Sequence, residues 1–204
     1  MECDGTDFSL GWTTSSKMIL PSAYLPPISW FVNLLADEPI LIEQHENFQK
    51  QTFRNRCTID SPNGPLHLTI PIDRSTFTGG KCPMKDVRIS GHSDWQRQHW
   101  YALETSYFNS PFFEYLQDDF RPIFEQQWTF LIDFNEALVH QCCQLLDIQP
   151  GIHRTEAYTG ITPCNEFIPR PYYQVFSHKH GFLPDLSIID ILFNMGKESL
   201  LLLK

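Results

Sequence analysis

The sequence predicts a single α/β domain with a short parallel sheet, an adjoining β-hairpin and three to four packing helices. Three observations predict it. The apolar part of the chain opens in the order strand, Pro-rich loop, helix, strand; two period-two segments flank a Pro/Gly turn at residues 61–64; and amphipathic helical stretches fill the middle. Of the 204 residues, 42% are hydrophobic and 16 are Phe, which is ample for a buried core and excludes disorder.

Residues 1–17 are polar, start acidic and lack the apolar stretch of a secretory signal, so they are expected to be a flexible leader ahead of a domain spanning 18–204. Met18-Ile19-Leu20 is a short buried strand stopped by Pro21, and the loop 21–27 leads into a helix with Trp30, Phe31, Leu34 and Leu35 on one face. A second strand at 40–43 completes a β-α-β unit, in which ligands sit at the carboxyl ends of the strands. Tyr24 would lie at such an end.

The segments 53–60 and 66–72 alternate around Ser61-Pro62-Asn63-Gly64 and read as a hairpin. Period two puts Leu66, Leu68, Ile70 and Ile72 on one face, and Arg54, Arg56 and Thr58 together on a face of the partner strand. Residues 87–89 are a further short strand. Ser93 and Gln96 form a capping-box pattern ahead of a helix faced by Trp95, His99, Ala102, Leu103 and Ser106. Ser110-Pro111 starts another helix, striped by Phe113, Leu116, Phe120 and Phe124 and bent at Pro122. A third carries Leu131, Phe134, Leu138, Cys142 and Leu145 and ends before Pro150-Gly151. Residues 151–184 show little periodicity. A final helix over 186–194 stops at Gly196, which suits a left-handed C-terminal cap.

Charge and composition bound the function. The chain carries a formal charge of −9 with no basic cluster, so a nucleic-acid partner is not expected. No apolar stretch reaches the roughly 20 residues that span a bilayer. Six cysteines with no signal peptide and no Cys-x-x-Cys point to reduced core residues in a cytoplasmic protein. His178-x-His180, with only Asp185 as a nearby third donor, is a weak metal pattern, and neither metal nor cofactor is expected. Gly79-Gly80-Lys81 lacks the frame of a phosphate loop and reads as a turn.

Several segments together resemble the WbqC-like protein family. They are Leu20-Pro21-Ser22-Ala23-Tyr24-Leu25-Pro26, similar to a Gln-Pro-x-Tyr-x-Pro loop; Arg54-Asn55-Arg56; Leu68-Thr69-Ile70-Pro71-Ile72; Trp95 and His99 running into Tyr107 and the Pro111-Phe112-Phe113 stretch; and the closing pattern from Leu186 to Gly196. The resemblance implies a cytoplasmic transferase of bacterial surface-polysaccharide (O-antigen) biosynthesis, with amino-acyl (glycine) transfer suggested for the family. Two departures stand out: Leu20 replaces the family's Gln, and only residues 158–174 occupy the place of a longer Gly-rich segment. A shortened, non-catalytic binding or scaffold relative is the alternative.

The candidate site residues are His99, Tyr24, Arg54, Arg56 and Asn55. Two guanidiniums at i and i+2 on a strand form a fork suited to phosphate or carboxylate, so Arg54 and Arg56 would hold a small anionic donor, a nucleotide sugar or an activated acyl group. The bland alternative is a solvated strand face paired with acids. Asn55 belongs to the same resemblance, although a regular strand turns it to the opposite face. His99 is a candidate general base or a hydrogen-bonded core histidine. Tyr24 either lines a pocket or packs a helix. Asp190, inside an apolar helix, is a buried structural partner or a carboxylate of the site. Oligomeric state is not legible, although Phe-rich helices could serve an interface.

Overall fold

The computed structural model describes residues 17–36, 39–164 and 166–203, so the expected leader lies outside them except for Lys17. Strand β1 (Met18–Pro21), helix α1 (Ile28–Ala36) and strand β2 (Ile40–Glu43) form the expected parallel unit, paired from Met18↔Ile40 to Pro21↔Glu43. Pro21 is tolerated because β1 is an edge strand and this is its last residue. Trp30, Phe31 and Leu34 of α1 are buried, and Trp30 Nε1 donates to the Pro21 carbonyl at 3.0 Å, fixing the helix over the strand end.

The hairpin is β3 (Arg56–Ile59) against β4 (Leu66–Thr69), antiparallel, followed by a short pair of β5 (Ile72–Asp73) with β6 (Arg88–Ile89). The expected single face over 66–72 divides. Leu68 and Ile70 are buried, but Leu66, at the hairpin tip, reaches past the core and is exposed, and Ile72 belongs to the second pair. Arg54 precedes β3, in a turn closed by the Asn55 and Arg56 amides on the Thr52 carbonyl.

Helices α2 (Trp95–Tyr107), α3 (Phe113–Glu125) and α4 (Leu131–Leu145) pack side by side. The capping box does not form at α2. Asp94 is the N-cap but its carboxylate pairs with Arg97 and makes no capping bond, and the Gln96 amide donates to the Phe124 and Gln126 carbonyls, tying α2 to the end of α3. Pro122 falls in the last turn of α3, where its missing N–H forgoes the bond to the carbonyl four residues back.

Strand β7 (Ile152–Arg154) then joins the parallel sheet beside β2, giving the order β1-β2-β7. A single turn, α5 (Ser177–His180), precedes α6 (Ile188–Met195) and a terminal turn, α7 (Leu200–Leu203). Ser187 caps α6 by accepting from the Ile189 amide.

One continuous core joins these elements. The Phe stripes meet there: Phe193 of α6 contacts Tyr107, Phe113 and Phe120 at ring distances of 5.0–5.8 Å, and Phe134 of α4 contacts Tyr24, Trp95, Phe124 and Trp128. Burying each such ring contributes on the order of 2 kcal/mol. Gly196 ends α6 at φ 55°, and a Cβ there would stand 2.7 Å from the Phe112 ring. Both the backbone and the close approach require glycine.

Candidate functional site

Residues on the strand β3 alternate between two environments. Cys57 and Ile59 are buried inward, whereas Arg56 and Thr58 are half-buried on the outer face beside His67 of β4. Against that outer face lie two short loops, 25–27 and 185–187. They hold each other through the Ile28 amide on the Leu186 carbonyl and the Ile188 amide on the Pro26 carbonyl, and the Ser187 amide docks on the Thr58 carbonyl at 2.8 Å.

The result is a groove of about 270 Å³, lined by Arg56, Thr58, His67, Thr52, Asp185 and Ser187 among others. Both loops carry strained backbone, Leu25 at φ 38° and Asp185 at φ 55°, a conformation unusual for residues with a Cβ. Asp185 is held there because its two carboxylate oxygens accept from the Ser29 amide and hydroxyl at 2.7 and 2.9 Å, supplying the partner that a first-turn amide of α1 lacks. Burial raises the Asp185 pKa, and the two Ser29 bonds offset part of that rise.

Arg56 stands in this groove with Nε donating to the Thr69 hydroxyl at 3.0 Å, and among the described residues it makes no ion pair. Arg54 does not share its environment. Its guanidinium is buried and grips Glu46 in a two-point ion pair, Nε to Oε1 at 2.8 Å and Nη2 to Oε2 at 2.6 Å. The fork expected of Arg54 and Arg56 is therefore not formed, because the chain enters β3 only at Arg56 and the preceding turn points Arg54 into the interior. Asn55 is buried too, donating to the Ile70 carbonyl at 3.1 Å, which fastens the turn to the hairpin.

Tyr24 and His99 are brought together beneath the hairpin. The Tyr24 hydroxyl lies 2.8 Å from His99 Nδ1, the rings stack, and Trp95 and Phe134 close around them. Tyr24 is fully buried and His99 is 7% exposed. Burial lowers the His99 pKa to about 4, against a smaller rise from its bond to the Thr69 backbone. That carbonyl occupies one ring nitrogen as acceptor, so the neutral ring presents Nδ1 to receive the Tyr24 proton. Burial likewise raises the phenol of Tyr24 and the adjacent thiol of Cys57. The group is thus neutral throughout. It braces the inner face of β3, while Arg56 occupies the outer face.

At the carboxyl ends of the parallel strands Glu43 and Arg154 find partners, whereas Asn135 Oδ1 is buried with no partner among the described residues. Glu43 ends β2 fully buried; desolvation alone would raise its pKa, but bonds from the Thr159 and His45 amides and the Thr155 and Thr159 hydroxyls outweigh it and hold the carboxylate ionised. Arg154 of β7 pairs with Asp133 and Glu136 of α4. Asn135 donates to the Ser22 hydroxyl and the Arg54 carbonyl, and only a cavity of about 10 Å³ remains beside it, the size of one water.

Residues 22–166, well over half of the chain, match the WbqC-like protein family. The chain belongs to that family. The matched stretch contains Tyr24, Arg54, Asn55, Arg56 and His99, and ends before α6. A WbqC-like chain of this kind is also similar to an uncharacterized protein of Mycobacterium tuberculosis (strain H37Rv), 24% identical over 220 residues that cover 89% of this chain and 94% of that protein. No solved structure matches it.

A second polar cluster was only partly legible in the WbqC-like sequence. Asp190, fully buried in α6, accepts from the Tyr107 and Tyr172 hydroxyls at 2.7 and 2.6 Å. Burial raises its pKa to about 6, with the nearby Asp60 adding to the rise and the tyrosine bonds opposing it. Asp60, 1% exposed, pairs through Oδ1 with His180 Nε2 at 2.7 Å, and its Oδ2 has no partner among the described residues. His178 contacts the Val175 carbonyl instead, and among the described residues no group of three or more His, Cys, Asp or Glu is placed to hold a metal. The signal that could have found Asp60 is weak: an acid directly after a short alternating strand, 120 residues from its partner. No helix among the described residues is long and apolar enough to cross a membrane.

Proposed function

We propose that this WbqC-like chain is a transferase of bacterial surface-polysaccharide (O-antigen) biosynthesis that takes a small anionic donor, a nucleotide sugar or an activated acyl group such as a glycyl unit, in the groove on the outer face of the hairpin. The observation that carries the reading is Arg56. In a chain of net charge −9 it is a half-buried guanidinium lining a concave site with no acid partner among the described residues, whereas Arg54, two residues earlier, is neutralised. A guanidinium so placed suits the planar oxygens of a phosphate or carboxylate. The family resemblance supplies the transferase and polysaccharide terms.

In this reading Tyr24 and His99 are positioning residues. They hold β3 from inside, and Asn55 and Arg54 fix the turn that delivers Arg56 to the groove. The same sealing of Tyr24 and His99 favours a second reading, a binding module that holds the anion without turnover.

Thermal stabilisation by pyrophosphate, nucleotide sugars and acyl phosphates tests the groove. A stabilising ligand whose effect disappears in Arg56→Ala supports it. No stabilisation by any of them, or full stabilisation retained by Arg56→Ala, would overturn it. Transfer of label from a stabilising donor to an acceptor then separates enzyme from binding module.

A further inference from the structure

The outer face of the hairpin holds two successive cross-strand pairs, Arg56 opposite Thr69 and Thr58 opposite His67. Residues two apart on a strand share a face at a spacing of about 7 Å, so the guanidinium and the imidazole stand in adjacent rows of one surface. Arg56 commits Nε to the Thr69 hydroxyl, and its Nη1 and Nη2 have no hydrogen-bond partner among the described residues. His67 Nδ1 lies 2.9 Å from the Thr58 hydroxyl, and its Nε2 has no partner among the described residues. Both residues line the groove.

The sealing of His99 against Tyr24 removes the base that the sequence suggests, and the other titratable groups lining the groove are occupied or covered. Besides Arg56 and His67 these are Asp185, whose two oxygens accept from Ser29, and Cys57, which is 4% exposed and faces inward. His67 is exposed and is oriented by Thr58. A hydroxyl both donates and accepts, so Thr58 can hold the ring whichever nitrogen carries the proton. An imidazole with one nitrogen held by a neighbour and the other open to a reactant is the arrangement of a general base.

We propose that His67 is the catalytic base of the groove, positioned by Thr58, for a donor whose reacting carbon is joined to a phosphate oxygen. The proposal rests on the groove being the donor site. Arg56 holds the phosphate. The acceptor, a hydroxyl or an amine, attacks the donor carbon while His67 Nε2 takes the acceptor's proton. The bond from that carbon to the phosphate oxygen breaks, and its electron pair leaves on the oxygen, against the guanidinium. His67 then passes the proton to the released phosphate or to water, so the step needs no oxidant, reductant or further reactant. Acyl phosphates and nucleotide sugars share this chemistry.

Hydrolysis of acetyl phosphate and of uridine diphosphate glucose, with water as acceptor, is measured across pH in the wild type, His67→Gln, Thr58→Val and Arg56→Ala. Pyrophosphate binding is measured alongside, with the His67 imidazole followed by NMR. A bound anion favours the charged ring, so pyrophosphate should raise the midpoint of the His67 titration by about half a pH unit or more in the wild type and not in Arg56→Ala. His67→Gln should lower kcat roughly tenfold or more with KM changed less than about threefold, and should abolish the fall in rate toward low pH. Thr58→Val should keep that fall at a reduced kcat. The donor that is turned over identifies its class. Pyrophosphate binding that leaves the His67 resonance unmoved overturns the placement of His67 beside the anion. Turnover of neither donor, or kcat and pH profile unchanged in His67→Gln, overturns its role as base. Failure of the donor-site reading shows separately, as absence of pyrophosphate binding to the wild type.

Discussion

Removing one partner of the Arg54–Glu46 pair should damage the fold rather than ligand binding alone. Both side chains are only about 5–6% exposed, and they meet through two bonds of 2.8 and 2.6 Å. Arg54→Ala leaves the Glu46 carboxylate buried and unpaired, a loss of about 3–5 kcal/mol. For a domain of this size each kcal/mol lowers Tm by about 2–4 °C, so a fall of roughly 6–20 °C is expected. Arg56→Ala, with a single exposed bond to Thr69, should stay within about 0.5 kcal/mol of wild type. The double replacement Glu46→Met with Arg54→Met removes both charges and should recover most of the loss, because two well-packed apolar side chains need no counter-charge. Urea unfolding and calorimetry on the four proteins check this. Arg54→Ala within about 1 kcal/mol of wild type, or a double variant no better than the single one, would refute the assignment of Arg54 to the interior.

Two further outcomes follow from buried groups. The folded-state pKa of His99, about 4, lies below the ordinary histidine value of about 6.5, so the folded protein resists the proton that the unfolded chain accepts. Its contribution to stability is complete above about pH 6.5 and is lost as pH falls toward 4, by up to about 3 kcal/mol at about 1.36 kcal/mol per unit. Unfolding at stepped pH should show that slope in wild type and not in His99→Gln; an imidazole resonance of His99 titrating at the ordinary value would contradict it. Gly196→Ala places a Cβ 2.7 Å from the Phe112 ring at φ 55° and should cost about 2–4 kcal/mol in chemical denaturation, while a loss under about 0.5 kcal/mol would show that α6 ends without needing glycine.

The elements with their own periodicity were legible. Met18-Ile19-Leu20, the α1 stripe and residues 40–43 form the parallel unit as expected, and the Phe stripes of α3 and α4 are core. β7 was not legible, since three residues, Ile152-His153-Arg154, carry no period and become a strand only by pairing with β2. The Ser93 capping box failed for a related reason: Gln96 finds two carbonyls at the end of α3 that only tertiary packing supplies.

The candidate site divides along the same line. The basic Arg54-Asn55-Arg56 stretch and the Tyr24 and His99 positions are visible in the residues, and so is membership of the WbqC-like family. What the residues could not say is which way each side chain faces. A strand's period of two assigns opposite faces only where the strand exists, and a single turn before Arg56 sends Arg54 to Glu46 instead of to its neighbour. By itself the sequence determined the local elements, because propensity and periodicity act over a few residues. Only the tertiary structure decided that Arg56 lines the groove while Tyr24 and His99 lie sealed beneath it, because burial depends on partners tens of residues away and charge pairing on the direction in which the turn before β3 points Arg54.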